Sequence, residues 1–456
     1  MIKETKLKDL PSPPSLKKII GPSFILLGLG LGSGEIILWP LLTSTHGLGL
    51  VWGMLLGITI QFFINMEIER YALIYGESVF VGFKKLLRWL PAWFIFSTFI
   101  SFGWPGIGLA GATVISHIFN INNPQLIATI VFILIGLILS FGRSIYKTTE
   151  SLQKILIFIG VPFIIILTLY LAGSQDLIAL TQGLVGQGNG YLFLPAGISL
   201  GTFLGALAYS GAGGNLNLAQ SFYIRDKGYG MGLFADKITN IRSTKNISLT
   251  GNTFPLTDKN LQNFKKWWKV INKEHFIVFW LLGFLTMLTL GLLAYITAGE
   301  STNNQEGLNF LFNQASAITQ RTFPLIGAAF LSITGLMLLS TQLGILDSTS
   351  RIISENTHLL KKKPGNISKT YFLALWLQIF FGIAVFSSSF NQPQQLIILG
   401  AVLNAFAMFI YTGILLYLNN FKLPKPLRPN LARNLILISA FFFLGYFCFQ
   451  TILQYT

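Results

Sequence analysis

The sequence predicts an all-α polytopic membrane protein of about 11 transmembrane helices, arranged as an inverted 5+5 repeat in which helices 1 and 6 are broken. Three observations lead to this fold class: the composition, the alternation of basic loops, and two glycine-rich interruptions of apolar runs. Of the 456 residues, 52% are hydrophobic and only 11% are charged. The apolar residues fall in blocks of about 20, which is the length that crosses a bilayer.

The apolar runs place the transmembrane helices, which we number as spans 1 to 11 in chain order. They cover residues 17–45, 49–68, 92–118, 124–142, 151–173, 193–222, 275–298, 323–346, 370–388, 395–418 and 431–453. The domain organisation follows from them. It consists of an N-terminal tail (1–16), repeat one (17–173), an external loop (174–192), repeat two (193–420) with a basic cytoplasmic loop (223–274), and a connecting loop with span 11 (421–456).

Basic residues collect on alternate loops, which sets the orientation of the chain. They are Lys3, Lys6, Lys8, Lys17 and Lys18 in the tail, Lys84, Lys85 and Arg88 after span 2, Arg143 and Lys147 after span 4, the loop after span 6, Arg351, Lys361, Lys362 and Lys363 after span 8, and Lys422, Lys425, Arg428 and Arg433 after span 10. Because basic loops stay inside, the N-terminus is predicted to be cytoplasmic and the C-terminus outside. The exception is Arg321.

The same distribution explains the net charge of +16. In a soluble protein this charge would suggest a nucleic-acid partner, but here it orients the spans, and no nucleic acid is predicted. The predicted location is a membrane, and a prokaryotic plasma membrane is the simplest choice.

Two glycine-rich interruptions stand five spans apart. In span 1, glycine occupies every second position from Gly28 to Gly34 and Glu35 follows directly; in span 6, Gly211, Gly213 and Gly214 precede Asn215. Glycine weakens a helix by about 1 kcal/mol relative to alanine, so both spans are predicted to be discontinuous. Transporters built from inverted five-helix repeats begin each repeat with such a helix.

Close helix packing is the competing explanation for the glycines, since small residues four apart let two helices approach each other. Glu35 favours the functional interpretation. A carboxylate inside a span costs about 2.5–3.5 kcal/mol and usually marks an ion or proton pathway. Glu35 is therefore the principal candidate for binding an ion and for coupling transport to protons.

Three further polar residues are candidates. Asp347 lies four residues before Arg351, so it is predicted either to form an ion pair at the membrane surface or to take part in proton coupling. Gln342 and Asn404, in spans 8 and 10, either form interhelical hydrogen bonds or line the binding site.

The run GPSFILLGLGLGSGE, from Gly21 to Glu35, resembles the first helix of Nramp-type divalent metal transporters, whose pattern is GP…DPGN. Gly32, Ser33, Gly34 and Glu35 take the places of the family's Asp, Pro, Gly and Asn. The family's MPHNL is matched by Ala212, Gly213, Gly214, Asn215 and Leu216, and its SGQ by Ser340, Thr341 and Gln342. The resemblance covers spans 1 to 10 and implies a LeuT-type fold and proton-coupled uptake of manganese or iron.

The departures from this pattern bear on the substrate. The family's metal-binding aspartate is Gly32 here, and its methionine thioether is replaced by Ala212. The ligands that remain are the Glu35 carboxylate, backbone carbonyls of Gly32, Ser33, Gly34, Ala212 and Gly213, and amide oxygens led by Asn215. Oxygen ligands suit hard cations such as Mg²⁺, Ca²⁺ or Mn²⁺. A single carboxylate also leaves a monovalent ion or an organic cation open.

The predicted function is secondary active transport of a metal cation, with a divalent ion first and proton coupling as an option. The alternative is a sodium- or proton-coupled amino-acid symporter of the same fold, in which the amides of span 6 would hold a substrate carboxylate. An enzyme is not predicted, because the sequence has no metal cluster, no phosphate loop and no nucleophile with a base. The predicted partners are the cation, protons and the bilayer, and no cofactor is expected.

Overall fold

The computed structural model describes residues 6–14, 21–141, 145–236, 248–299, 301–361, 366–388 and 390–455. Within these ranges the side chains of Ser33, of residues 145–149 and of residue 455 are outside the description. Ser33 is the one residue predicted for the site whose side chain is not described. The side chains of seven of the basic residues used to predict the orientation are also not described: Lys3, Lys17, Lys18, Arg143, Lys147, Lys362 and Lys363.

The described chain is almost entirely helical. The helices are α1 (Pro22–Gly30), α2 (Trp39–His46), α3 (Val51–Tyr75), α4 (Val79–Leu86), α5 (Leu90–Phe102), α6 (Gly106–Ile118), α7 (Pro124–Phe141), α8 (Ile145–Leu171), α9 (Ser174–Leu184), α10 (Leu200–Ala208), α11 (Gln220–Lys227), α12 (Asp258–His275), α13 (Leu282–Ala298), α14 (Asn309–Arg321), α15 (Pro324–Leu360), α16 (Ile367–Phe386), α17 (Pro393–Tyr417) and α18 (Leu431–Tyr455). The strands are β1 (Lys6–Leu7), β2 (Gln187–Gly188), β3 (Tyr191–Leu192) and β4 (Asn252–Thr253).

The predicted spans can be assigned to these helices. Ten helical segments of the described chain are long and apolar enough to cross a membrane. Span 6 is the additional one, and it consists of α10 and α11, each too short to cross alone. Span 1 joins α1 and α2, span 3 joins α5 and α6, and span 7 joins α12 and α13. The prediction of an all-α polytopic protein is confirmed.

Two segments predicted as loops contain helices. The segment 174–192 holds α9 and a hairpin of β2 and β3, and the basic segment 223–274 holds most of α12. Hydropathy does not detect α12 because this helix is amphipathic: Phe264, Trp267 and Ile271 are buried, whereas its lysines are exposed.

Span 1 lies at the centre of the bundle. All of its most apolar stretch is buried within the protein, whereas only 33% of the corresponding stretch is buried in spans 4, 5 and 11. Spans 4, 5 and 11 therefore turn much of their surface to lipid, as expected for the rim of a membrane bundle. The glycines and Glu35 of span 1 consequently face other helices rather than lipid.

The N-terminal tail is tied to the segment that leads into span 7. Strand β1 pairs in parallel with β4, and the Lys8 amide donates to the carbonyl of Thr253. Beyond the strand, the Leu10 amide donates to Asn260 Oδ1 at 3.0 Å, and Trp267 Nε1 donates to the carbonyl of Pro11 at 2.7 Å. We call residues 6–14 the strap. We call the side of the bundle on which these residues lie the strap side.

The orientation inferred from the loop charges can be tested by labelling. Lys259, on α12, and Gln182, on α9, are both exposed and lie on opposite sides of the bundle. With Cys448 replaced by alanine, we expect an impermeant maleimide to label Gln182→Cys in intact cells and Lys259→Cys only after lysis. The reverse pattern would show that the N-terminus lies outside.

Candidate functional site

Span 6 is interrupted between α10 and α11. The α-helix ends at Ala208, and a short 3₁₀-helix, Gly214–Ala219, leads into α11. Gly213 and Gly214 have positive φ angles of 74° and 48°, which L-residues with a side chain rarely adopt. We call residues 209–213 the span 6 break. The predicted interruption of span 6 is confirmed.

Gln61 of α3 bridges the span 6 break. Its Oε1 accepts the Gly213 amide at 3.1 Å, while its Nε2 donates to the carbonyls of Ala208 at 3.0 Å and Leu207 at 3.3 Å. Hydrocarbon offers no hydrogen bonds to a broken helix, so the side chain replaces backbone bonds that the break removes. Sequence analysis did not single out Gln61; a buried glutamine in the middle of span 2 was the available signal.

The interruption of span 1 takes a different form from the one in span 6. Between α1 and α2 the chain continues as a π-helix, Leu31–Leu38, and no unwound stretch separates the two helices. A π-helix retains intrahelical hydrogen bonds, and such segments are common at functional sites. The discontinuity predicted for span 1 therefore takes the form of a change from α-helix to π-helix, with a continuous helical backbone.

The glycines of span 1 allow close packing against spans 6 and 8. A Cβ on Gly30 would lie 2.7 Å from the backbone of Gly211, and one on Gly34 would collide with the Tyr209 carbonyl. A Cβ on Gly32 would lie 2.5 Å from Thr341, whose hydroxyl donates to the Gly28 carbonyl at 2.8 Å. The packing explanation is thus correct for these glycines, and Gly32 and Gly34 lie directly beside neighbouring helices.

Glu35 is fully buried on the π-helix of span 1. Neither of its carboxylate oxygens has a hydrogen-bond partner among the residues that the structure describes. Its side chain points toward Gly283 of α13: a Cβ placed there would lie 3.6 Å from Glu35 Oε1, 2.8 Å from Ile58 and 3.1 Å from Leu27. A carboxylate in such apolar surroundings requires a cation or a proton.

Asn215 and Asn404 lie on the other side of the span 6 break. Asn215 Nδ2 donates to Ser97 Oγ at 2.8 Å and Thr98 Oγ1 at 2.9 Å, both on α5. Asn404 Nδ2 donates to the Tyr209 hydroxyl at 2.9 Å.

The amide oxygens of these two asparagines remain available. Asn215 Oδ1 and Asn404 Oδ1 are buried without a partner in the described part of the chain. Asn404 Oδ1 lies so close to Gly214 that a side chain at Gly214 would collide with it. Two amide oxygens without a partner in the described chain therefore flank the break. Sequence analysis did not single out Ser97, Thr98 or Tyr209, which orient the two asparagine side chains.

The other predicted residues are placed as follows. Ala212 and Gly213 belong to the span 6 break itself, and both are buried. Gln342 accepts the Gly108 amide at 3.0 Å and so connects span 8 to span 3. Asp347 Oδ1 accepts hydrogen bonds from Arg351 Nε and the Tyr371 hydroxyl, each at 2.8 Å. The predicted ion pair with Arg351 exists, but it is buried rather than at the membrane surface, because Tyr371 and neighbouring helices cover it.

The structure brings Asn215, Asn404 and Gly213 together around the break but turns the Glu35 carboxylate toward span 7. Among the described residues, no group of three His, Cys, Asp or Glu side chains could hold a metal ion. An ion in this region would therefore be held by a single carboxylate, amide oxygens and backbone carbonyls, which are ligands for hard cations.

The two faces of the bundle differ in how they are closed. A cavity of about 220 Å³ opens on the side opposite the strap. It is lined by Leu41, Leu42, Thr45, His46, Gly197, Ser199, Thr202, Gln305 and Gln394, at the ends of span 1 and the start of spans 6 and 10.

On the strap side, buried ion pairs close the space between spans 6 and 8. Arg351 contacts Asp226 at 2.6 Å, and Arg225 contacts Glu355 at 3.0 Å. The strap side is therefore closed by ion pairs, whereas the opposite side has a cavity.

No protein-family model and no curated protein sequence matches this chain. Solved structures do match. A mutant of the manganese transporter of Eremococcus coleocola is similar with a TM-score of 0.69 at 14% identity, covering 98% of this chain and 89% of that chain. MhsT in complex with L-phenylalanine gives 0.53 at 15% identity, with coverages of 94% and 97%. MHP1, a nucleobase-cation-symport-1 family transporter, gives 0.50 at 12% identity, with coverages of 97% and 95%.

These likenesses establish the fold, because each extends over nearly the whole chain. The protein is an all-α membrane protein with the LeuT-type fold of secondary transporters, interrupted in spans 1 and 6. Within that class, it superposes better on the manganese transporter than on MhsT or MHP1.

The role of Gln61 gives a stability prediction. Gln61→Leu leaves the Gly213 amide and the Ala208 carbonyl unpaired, so we expect a loss of about 1–3 kcal/mol and a lower melting temperature in detergent. Gln314→Leu is the matched control, since both polar atoms of this buried glutamine lack a partner in the described chain, and its melting temperature should not fall. Equal melting temperatures for the parent and Gln61→Leu would contradict the bridging role.

Proposed function

We propose that this protein is a secondary active transporter that carries a hard metal cation across the membrane by alternating access, with Glu35 as the principal ligand. The observation that supports this most directly is the Glu35 carboxylate, which is fully buried at mid-span with both oxygens unpartnered among the described residues. Such a group needs a positive charge, and an ion arriving from water provides one.

The span 6 break supplies the remaining ligands in this proposal. The amide oxygens of Asn215 and Asn404 and the backbone carbonyls of Ala212 and Gly213 adjoin it. In this proposal the Glu35 side chain rotates away from Gly283 and toward these oxygen ligands. The preceding residue, Gly34, already lies against the Tyr209 carbonyl of the break. Carboxylate, amide and carbonyl oxygens favour Mn²⁺, Mg²⁺ or Ca²⁺ over softer ions. The manganese transporter of Eremococcus coleocola, which has this fold, is consistent with such cargo.

The arrangement of the two sides supports alternating access. In this proposal the ion enters from the cavity opposite the strap, while the ion pairs of Arg351 and Arg225 close the strap side. Rearrangement of spans 1 and 6 against the other spans would exchange these two states. In this scheme Asp347 belongs to the closing ion pairs, since Arg351 and Tyr371 occupy its Oδ1. In this proposal the strap side faces the cytoplasm, because basic loops stay inside.

The amino-acid symporter is the weaker candidate. It needs free backbone amides at the break for a substrate carboxylate, but Gln61 Oε1 already accepts the Gly213 amide. Glu35 would also repel that carboxylate unless it paired with the substrate amine.

Cation flux through proteoliposomes tests the proposal. We expect the parent to take up Mn²⁺, with Mg²⁺, Ca²⁺ and Na⁺ as competitors, and Glu35→Gln to reduce uptake about tenfold or more, the equivalent of about 1.4 kcal/mol of lost ion binding.

Glu150→Gln is the matched control for this experiment, since the Glu150 carboxylate already pairs with Lys154 and Lys227 and should not affect the ion. Uptake of amino acids without cation flux, or Mn²⁺ uptake that Glu35→Gln leaves unchanged, would refute the proposed function.

A further inference from the structure

A second polar cluster lies on the strap side of the bundle, away from the span 6 break. It consists of Ser23 of α1, Glu69 of α3, Gln220 of α11, and Glu274 and His275 of α12. The five side chains are all buried, none more than 3% exposed, although two are carboxylic acids. We call this group the lower cluster. The proposed binding of the cation at the break uses none of these residues.

Hydrogen bonds of Ser23 and a close contact of His275 with Glu69 connect the two acids. The Ser23 hydroxyl donates to Glu274 Oε2 and lies 2.8 Å from His275 Nδ1. The same ring nitrogen lies 3.3 Å from Glu69 Oε1. Glu69 Oε1 also accepts a hydrogen bond from Gln220 Nε2 at 2.8 Å. Four helices thus contribute to one continuous chain from Glu69 to Glu274.

The lower cluster is incompletely satisfied. Glu69 Oε2, Gln220 Oε1 and His275 Nε2 are buried and have no hydrogen-bond partner among the described residues. Unpaired groups of this kind cost free energy unless they exchange protons or bind something. Gln220 donates its amide nitrogen to Glu69, and its amide oxygen has no partner in the described part of the chain.

The carboxylates of the lower cluster also differ from their neighbours in charge pairing. Every other buried carboxylate of the described chain except Glu35 lies within 4.0 Å of a lysine or arginine nitrogen. Glu69 and Glu274 do not. Arg433 pairs with Glu67 instead, and Lys227 pairs with Glu150.

Two carboxylates that share one buried site, with no lysine or arginine partner among the described residues, favour a state in which a proton is held between them. Glu69 and Glu274 act on each other electrostatically, and the histidine that links them is itself buried. The cluster therefore has the composition of a proton site rather than of a metal site, since it lacks a third acid or thiolate ligand.

Span 7 connects the lower cluster with the proposed ion site. His275, Phe279 and Gly283 are spaced four residues apart, so they lie along one face of the helix. Gly283 faces Glu35, and Phe279 faces Gly211 of the span 6 break, where a Cβ would lie 2.6 Å from the ring.

The rings of Phe279 and Phe62 stack on either side of His275, with centroids 4.6 Å and 5.5 Å away. His275 and Gly283 are eight residues apart on span 7, and residues Phe276–Leu281 between them form a π-helix.

We propose that the lower cluster is a proton-exchange site, which takes up and releases protons on the strap side while the cation moves through the span 6 break. This inference rests on the proposed cation transport. Its ligand is the proton alone, exchanged with water on the strap side when the ion pairs of Arg351 and Arg225 open.

The chain of contacts allows a balanced proton transfer when neutral His275 carries its proton on Nε2. Protonated Glu69 gives its proton to His275 Nδ1 across the 3.3 Å contact, which breaks the O–H bond and leaves the imidazole protonated on both nitrogens. The imidazolium then gives the Nδ1 proton to Ser23 Oγ, while Ser23 passes its own hydroxyl proton to Glu274 Oε2. One proton has moved from Glu69 to Glu274, and His275 and Ser23 are restored.

Cation uptake and proton movement measured in the same proteoliposomes test the inference. With Mn²⁺ outside and a pH dye inside, we expect Glu69→Gln, Glu274→Gln and His275→Phe to lower proton flux per Mn²⁺ by about tenfold or more. Mn²⁺ binding should stay within about threefold of the parent, because the cluster does not touch the ion. His275→Phe keeps the aromatic stack and so separates loss of the relay from loss of packing.

Glu77→Gln is the control for these variants, since Glu77 is an equally buried acid on the strap side that is paired with Lys85. It should keep the proton flux of the parent. If the glutamine variants of Glu69 and Glu274 also keep it, the lower cluster is not the proton site.

Infrared difference spectra between about pH 5 and about pH 8 decide the matter independently of transport. We expect a protonated-carboxyl band in the purified parent that Glu69→Gln or Glu274→Gln removes and Glu77→Gln retains. A band unchanged in both variants overturns the proton site even if Mn²⁺ is transported. If the parent carries no Mn²⁺ yet the band behaves as expected, the proposed function fails and the proton site stands.

Discussion

The structure depends on the hydrogen bonds that the protein provides to the interrupted backbone of span 6, which is buried inside the bundle. From Gly211 to Gly213, span 6 has no regular helical hydrogen bonds, and each unpaired amide or carbonyl in hydrocarbon costs several kcal/mol. Gln61 takes over part of this pairing from span 2, and the glycines of span 1 bring a second backbone against Tyr209 and Gly211. Spans 1, 2 and 6 must therefore pack around one another before any site can form.

The placement of charge follows the same constraint. Buried acids of the described chain on the strap side mostly have a basic partner, and these pairs hold spans 6 and 8 together. Glu35, Glu69 and Glu274 lack such a partner, and all three belong to spans that meet at span 7. The paired charges thus keep the strap side closed. The carboxylates without a basic partner are the groups to which we assign the exchange of a cation or a proton.

Much of the fold could be predicted from the sequence because lipid imposes simple rules on length, hydropathy and loop charge. Those rules identified the spans and the span 6 break, whose glycines adopt positive φ angles. They failed for α12, since an amphipathic helix packed on protein looks like a basic loop. They also could not distinguish a π-helix from an unwound segment in span 1, because both accommodate glycine.

The site was less predictable than the fold, for a physical reason. Glu35, Asn215 and Asn404 could be identified because a polar residue inside a span is conspicuous. Their orientation could not, since the direction of a side chain depends on which helices surround it. Gln61, Ser97 and Thr98 were missed because their roles come from hydrogen bonds to residues 117 to 152 positions away, which the sequence does not display.

The strap connects the chain before span 1 to the start of span 7. Residues 6–14 are hydrogen-bonded to β4 and α12, and α12 continues into span 7. Span 1 itself contacts the same helix, because Ser23 is hydrogen-bonded to Glu274 and His275. In the proposed transport cycle, a movement of span 1 would therefore have to break these contacts or carry Glu274 and His275 with it.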